Sequence, residues 1–282
     1  MKPSDPIASR LAAVAKESGD LKGEARLYET ILPLLRDAPL YACQVSLTPD
    51  QARAKMEKGL PLLHGLDLEL DGQSACELMS QLAHAVENTS KKKQADPARH
   101  IRQAVKEERL DVSELLAHVA AGEDGIVEAS ANSMQLSPAL LLTLARYALK
   151  PAMHEWRRQL ESLAGISDWD SGYCFVCGAY AALGELQGND QAKHLRCGRC
   201  GADWLFIRLR CIYCGNEDHS TLGYLSIEGQ HEKMRVEVCD KCKGYLKVIA
   251  AFTPTAPDML PVEDLATLYM DFIAQERGYA RR

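Results

Sequence analysis

The chain has 282 residues, more than one hydrophobic core usually organises, so two or three domains are expected. Its apolar fraction of 46% suffices for buried cores, yet no apolar run reaches the roughly 18 residues of a membrane helix, so no membrane span is expected. A formal net charge of −6 argues against a polyanion as the main partner, so no nucleic acid is expected either.

Residues 1–167 read as helix throughout. The opening Met1-Lys-Pro-Ser-Asp-Pro6 has no apolar stretch of signal-peptide type. Ser4 is placed to cap a first helix whose Ile7, Leu11 and Val14 share one face. Asp20 is placed to cap a second, through Leu27, Ile31, Leu34 and Leu35. Thr48-Pro49 sets a cap before a proline at the first helical position, and Gly59-Leu-Pro61 should end that helix. Ser74-Ala-Cys-Glu77 reads as a capping box. Asp96-Pro97 and Asp111 (with Glu114) start two more helices. Ser137-Pro138 starts the longest, which Pro151 should kink or break.

Lys91-Lys-Lys93 reads as a solvated linker, and Cys43 and Cys76 as small apolar side chains. His64, His84, His100, His118 and His154 show no metal-ligand spacing.

Past Gly165 glycines, cysteines and short β-type runs replace the helical pattern. Trp204–Ile207, Leu222–Ile227, Met234–Val238 and Tyr245–Phe252 are candidate strands. After Pro254, Pro257 and Pro261 a final amphipathic helix is expected from Val262 to about Gly278, with Leu265, Leu268, Tyr269 and Phe272 on its apolar face.

Eight of the ten cysteines form four Cys-x-x-Cys pairs: Cys174/Cys177, Cys197/Cys200, Cys211/Cys214 and Cys239/Cys242. Two residues between thiolates let one chelate ring grip a metal, and two rings complete a tetrahedral sulfur site. Gly178, Gly201 and Gly215 follow second cysteines, where the knuckle turns tightly; after the fourth pair Lys243 intervenes before Gly244. Clustered cysteines without an export signal favour metal in a reducing cytoplasm over disulfides. Sequential pairing puts Cys174, Cys177, Cys197 and Cys200 in one site and Cys211, Cys214, Cys239 and Cys242 in the other. Interleaved pairing would need crossing connections. Four cysteines leave no coordination position open for a substrate, which argues against metal hydrolysis and for a protein without a catalytic site. Spacing alone suits iron and zinc equally. Tyr173-Cys-Phe-Val-Cys-Gly-Ala-Tyr180 looks like the aromatic-flanked first knuckle of rubredoxins, so two iron ions are expected, with zinc the alternative.

The fold class is then α+β. It comprises an N-terminal all-helical domain (1–167), two small rubredoxin-like or zinc-ribbon-like metal modules (168–208 and 209–254) and a C-terminal helix (255–282). Trp204 and Arg208, four residues apart, would share one face of a continuous strand beside the second knuckle, a candidate partner-binding surface.

Several stretches together resemble the formate dehydrogenase accessory protein FdhE family. They are Gly59-Leu-Pro-Leu-Leu63; Leu195-Arg-Cys-Gly-Arg-Cys200 with Trp204, Arg208 and Cys211-x-x-Cys214-Gly; Cys242-Lys-Gly-Tyr-Leu-Lys247; and Asp264-Leu-Ala-Thr-Leu268 leading to Glu276-Arg-Gly-Tyr-Ala-Arg281. The resemblance implies a cytoplasmic, non-enzymatic protein that binds the catalytic subunit of respiratory formate dehydrogenase before its export, for maturation or proofreading. Family first knuckles usually read Cys-Pro-x-Cys-Gly-Ser-x-Pro. Here Cys174-Phe-Val-Cys-Gly-Ala-Tyr-Ala181 keeps the thiolates but not the following turn, and the first 58 residues match weakly. Two other readings stand beside it: a zinc-ribbon nucleic-acid binder and a rubredoxin-like electron carrier. Residues 168–247 carry ten Lys and Arg against eleven Asp and Glu, without the basic excess a nucleic-acid module normally shows.

Overall fold

The computed structural model describes residues 5–39, 44–90, 92–163, 169–226 and 233–281. The chain divides into two compact units, one of Met1–Ser46 and Gly65–Trp156, the other of Leu47–His64 and Arg157–Arg282. The boundary expected near residues 167 and 168 lies outside the described residues, as do Cys43 and the side chains of the Lys91–Lys93 run. No described helix is long and apolar enough to cross a membrane.

The helices are α1 (Pro6–Glu17), α2 (Lys22–Arg36), α3 (Pro49–Glu57), α4 (Gly72–Thr89), α5 (Lys92–Lys106), α6 (Val112–Ala121), α7 (Asp124–Ser133) and α8 (Pro138–Leu160). Three expected starts hold, one of them Ser137-Pro138, where α8 opens at Pro138 and Leu141 N donates to the Ser137 carbonyl at 2.9 Å. The Thr48 hydroxyl accepts from Gln51 N and the Gln51 side chain accepts from Thr48 N, a complete capping box; Asp111 accepts from Glu114 N at 3.0 Å.

Four starts shift. Asp5 caps α1, accepting from Ile7 N at 3.0 Å, while the expected cap Ser4 lies outside the described residues. Asp20 lies in a 3-10 turn one residue short of α2, whose N-cap Leu21 makes no side-chain cap. Asp71 caps α4, which puts Ser74 inside the first turn with its hydroxyl donating to Asp71 Oδ2. α5 opens at Lys92, so Pro97 falls inside it as the sixth residue, where its missing N–H leaves the carbonyl of residue 93 without its helical donor. Pro151 likewise sits inside α8 without ending it. Helix α7, with only Val127 and Ala131 buried, offers too short an apolar stripe for periodicity to reveal.

In the first unit α4 and α5 lie side by side, burying Leu78, Leu82, Ile101 and Ala104. Glu87 ties them at the surface, accepting from Arg99 Nε at 2.8 Å and Arg102 Nε at 3.0 Å.

The second unit is built on one sheet. Its strands are β1 (Leu183–Gln187), β2 (Ala192–Arg196), β3 (Asp203–Leu205), β4 (Leu222–Leu225), β5 (Met234–Cys239) and β6 (Tyr245–Ala251), in spatial order β3-β2-β1-β6-β5-β4. Every pairing is antiparallel except β1 with β6, which is parallel. The two cysteine segments were expected as two small modules. Each contributes three strands, and the two halves join into one sheet through β1 and β6, whose edges would otherwise expose unpaired N–H and C=O groups.

The segment after α3 belongs to this unit. Leu62 N and Leu63 N donate to the carbonyls of Phe175 and Val176 at 2.7 and 2.9 Å, and the Tyr173 hydroxyl donates to the Gly59 carbonyl at 2.8 Å. Gly59-Leu-Pro-Leu-Leu63 therefore braces the first knuckle from a distant part of the chain.

The expected single final helix is two, α9 (Leu260–Ala266) and α10 (Leu268–Glu276), separated at Thr267. The Thr267 hydroxyl donates back to the Glu263 carbonyl at 2.7 Å. Of the expected apolar face, Leu265 is buried and Tyr269 packs against the sheet cluster, but the rest differs. Phe272 is exposed, and α10 instead buries Met270, Asp271 and Ala274. Met270 and Ala274 pack on Val236, Val238 and Tyr245 of the sheet. The buried Asp271 is held there by Tyr245 and Lys247, a polar pairing that an apolar stripe could not announce.

Candidate metal centres

All four Cys-x-x-Cys pairs fold into the same loop. The first cysteine's carbonyl accepts from the residue four later: Gly178 N to Cys174, Gly201 N to Cys197, Gly215 N to Cys211 and Lys243 N to Cys239, at 2.8–3.0 Å. That later residue is left-handed in each case, with φ of 76°, 74°, 67° and 58°. Glycine takes this conformation freely at the first three positions; at the fourth Lys243 bears it. Glycine is displaced to position 244 for a different reason. A Cβ there would press into the Tyr213 ring and the Cys242 sulfur.

These loops gather the sulfurs in sequential pairs. Cys174, Cys177, Cys197 and Cys200 form one group and Cys211, Cys214, Cys239 and Cys242 the other, each with its sulfurs within 4.8 Å of one another. Across the groups, Cys174–Cys200 and Cys177–Cys197 stand at 3.5 Å, Cys211–Cys242 at 3.6 Å and Cys214–Cys239 at 3.8 Å. Disulfide sulfurs lie at about 2.05 Å. Four thiolates about 2.3 Å from a shared ion are about 3.8 Å apart in a tetrahedron, so both donor sets fit a metal ion. Of the histidines, none joins a metal-type cluster among the described residues.

The electrostatics fit the same reading. Burial pushes the Cys174, Cys200 and Cys211 thiols well up, whereas hydrogen bonds from the neighbouring thiols pull Cys197 down. At Cys239 burial is outweighed by the backbone N–H groups of Cys242 and Lys241, leaving a value of about 7. One thiolate per group is thus stabilised by the protein, and a divalent cation would stabilise the rest. Supporting donors are in place: Val176 N to Cys174 Sγ at 3.4 Å, Cys200 N to Cys197 Sγ at 3.5 Å and Asn216 Nδ2 to Cys239 Sγ at 3.6 Å. The groups differ in access. The first has three buried cysteines and a half-buried Cys177, whereas Cys214 of the second is exposed.

Trp204 and Arg208 do not share a strand face, because β3 ends at Leu205 and Arg208 lies in the turn beyond it. Trp204 is 1% exposed and packs edge-to-face on Phe175 of the first knuckle, with Nε1 donating to the Ser171 carbonyl at 3.0 Å. Arg208 is exposed. Sequence reasoning missed Tyr213 and Gly172. Tyr213 stacks edge-on to Tyr180 at 5.0 Å and donates to the Tyr245 carbonyl at 2.9 Å. At Gly172 a Cβ would overlap the Ile212 carbonyl, so the segments leading into the first and third knuckles touch backbone to backbone. Only the unexplained Tyr213 between two cysteines hinted at this contact.

The fold and donor sets define a protein with paired four-cysteine centres on one sheet, joined to a helical unit. Residues 209–282 match the family model "FdhE, C-terminal domain". In this C-terminal part the chain is similar to FdhE proteins. An FdhE homolog of Pseudomonas aeruginosa is 34% identical over 155 residues, 52% of this chain and 49% of that protein. A homolog from Stutzerimonas stutzeri is 34% identical over 151 residues, with 52% and 48% covered, and one from Aquifex aeolicus 32% over 118 residues, with 40% of each covered. The chain thus spans about half the length of the curated relatives it matches, or less. The crystal structure of the FdhE protein from Pseudomonas aeruginosa shares the fold, with a TM-score of 0.65 at 23% identity over 98% of this chain and 92% of that one.

Proposed function

We propose that this chain is a non-enzymatic cytoplasmic accessory protein that binds the catalytic subunit of respiratory formate dehydrogenase before export, for maturation or proofreading. The observation that carries the reading is the pair of all-cysteine donor sets in a chain whose residues 209–282 match the FdhE C-terminal domain model. A tetrahedron filled by protein thiolates has no position for a substrate, so its role is to hold its two loops in place. We assign iron to both groups, on the aromatic residues flanking Cys174 and Cys177, with zinc the alternative. Iron in such a site passes one electron reversibly and zinc does not.

Of the two residues expected at the partner surface, Arg208 is the one a partner can reach, and Trp204 supports the knuckle beneath. The test is co-purification of the catalytic subunit with the tagged full chain from cells making both. Retention of the subunit, reduced by Arg208→Ala at unchanged folding, supports the reading. No retention by the wild-type chain overturns it.

A second reading, electron transfer, draws on the rings of Tyr173, Tyr180 and Tyr213. They follow one another at 6.4 and 5.0 Å between centroids, from the first knuckle to the third.

A further inference from the structure

The two cysteine groups are built from the same loops but are covered differently. In the first, the turn after Cys177 is packed: a Cβ on Gly178 would stand 3.1 Å from the Pro61 ring. Leu62 N and Leu63 N donate to the carbonyls of Phe175 and Val176, the two buried residues between Cys174 and Cys177. The turn after Cys214 has no such cover, since a Cβ on Gly215 would meet nothing within 4 Å. Cys214 is itself the one exposed cysteine among the described residues.

The second group is also approached through a cavity. About 510 Å³ of space lies against it, and Cys211 and Cys239 contribute to the lining. That volume is within the range of about 300–1,000 Å³ typical of small-molecule pockets. In addition, Lys243 closes the fourth loop at φ 58°, a left-handed conformation that glycine takes freely and lysine only at a cost.

A filled tetrahedron opens only when a thiolate leaves. That step needs an incoming donor that can come near and a departing cysteine that can reach water. Burial of Cys174, Cys197 and Cys200 and the packing around Cys177 deny it to the first group. We propose that the first group is a structural centre and that the second is an exchange site, which passes its metal ion to and from a small external thiol, with Cys214 as the cysteine that leaves. The inference rests on the reading that each group holds its own ion. A thiol is the class of donor that competes with cysteine for the same soft metal ions. The exchange needs no electron. The incoming thiol gives up its proton as its sulfur bonds the metal ion, and Cys214, its own bond broken, takes up a proton. Cys211, Cys239 and Cys242 keep their bonds until further thiols arrive.

The full chain loaded with zinc, which is redox-inert, tests this with the chromogenic chelator pyridylazoresorcinol and added glutathione. Release is expected in two phases of one ion each. The first should be at least about tenfold faster than the second and should speed up in proportion to glutathione, while the second does not. Limited alkylation of the loaded chain, read by peptide mass spectrometry, should label Cys214 before the other seven ligand cysteines. In Cys214→Ser the slow phase should persist and the glutathione-dependent phase should be lost. Fewer than two ions per chain before glutathione is added would overturn the two-ion reading and this inference with it. Two ions leaving together, release indifferent to glutathione, first labelling of a first-group cysteine, or a wild-type fast phase in Cys214→Ser would overturn this inference alone.

Discussion

Cys197→Ser is expected to lose one metal ion per chain and to make the region between residues 169 and 206 sensitive to protease. Cys197 is fully buried and faces Cys177 at 3.5 Å within the first four-cysteine group. Structural zinc contributes on the order of 10–16 kcal/mol in small metal modules, as much as a whole domain's net stability of about 5–15 kcal/mol. Loss of one ligand therefore removes most of what holds this half of the sheet. Cys76→Ser, outside both groups, should keep both ions and full resistance. Metal analysis with limited proteolysis decides the matter, and a Cys197→Ser protein with two ions and an intact protease-resistant core would contradict it.

Asp271→Ala is expected to destabilise the second unit by about 3 kcal/mol, the low end for breaking a buried ion pair. The Asp271 carboxylate accepts from Lys247 Nζ and from the Tyr245 hydroxyl, both at 2.6 Å, with Lys247 1% exposed. Asp264 still reaches Lys247 at 2.8 Å, so the lysine is not left alone, and this keeps the loss from being larger. Beside Asp271, burial pushes Tyr245 up to about 12.

The same network sets a pH dependence. Burial alone would raise the Asp264 carboxyl, but Lys247 and Arg281 beside it hold it below its ordinary value. A carboxylate depressed in the folded state stabilises above its unfolded value near 4, and the contribution is lost as pH falls through the lower folded value. Denaturant midpoints followed from pH 6 down to pH 2 should fall more steeply below about pH 4 for the wild type than for Asp264→Asn. Parallel profiles would show that this network contributes nothing.

The cysteine spacing was enough to give the sequential grouping, because a chelate ring is a local property of four residues and the connections allow one simple pairing. The helical N-terminal region was legible from apolar periodicity, and two of its caps from side chains that could serve only one N–H. Caps with neighbouring competitors, Ser4 beside Asp5 and Asp71 before Ser74, were not legible, since either side chain could reach the first turn.

Strands β1 and β2 escaped for a physical reason. β1 and β2 bury charge where a strand pattern expects apolar residues: Glu185 and Arg196 pair at 2.5 Å inside the sheet unit, and Lys193 pairs with Glu237. Arg196 is further held by the Thr255 carbonyl at 2.6 Å. Such pairs depend on tertiary partners eleven to 59 residues away. The bracing of the first knuckle by Leu62 and Leu63, and the fusion of the two cysteine segments through β1 and β6, are likewise long-range pairings without a local signature. Arg208 was named correctly as exposed but placed on a strand that stops three residues earlier.

The central claim is that each four-cysteine group holds its own metal ion. Native mass spectrometry of the full chain, purified without oxygen from the organism that makes it, tests this most directly. The account predicts two metal ions per chain, falling to one in either Cys197→Ser or Cys239→Ser and to none when both are changed. A single shared ion, or both ions lost together on changing either cysteine, would contradict it.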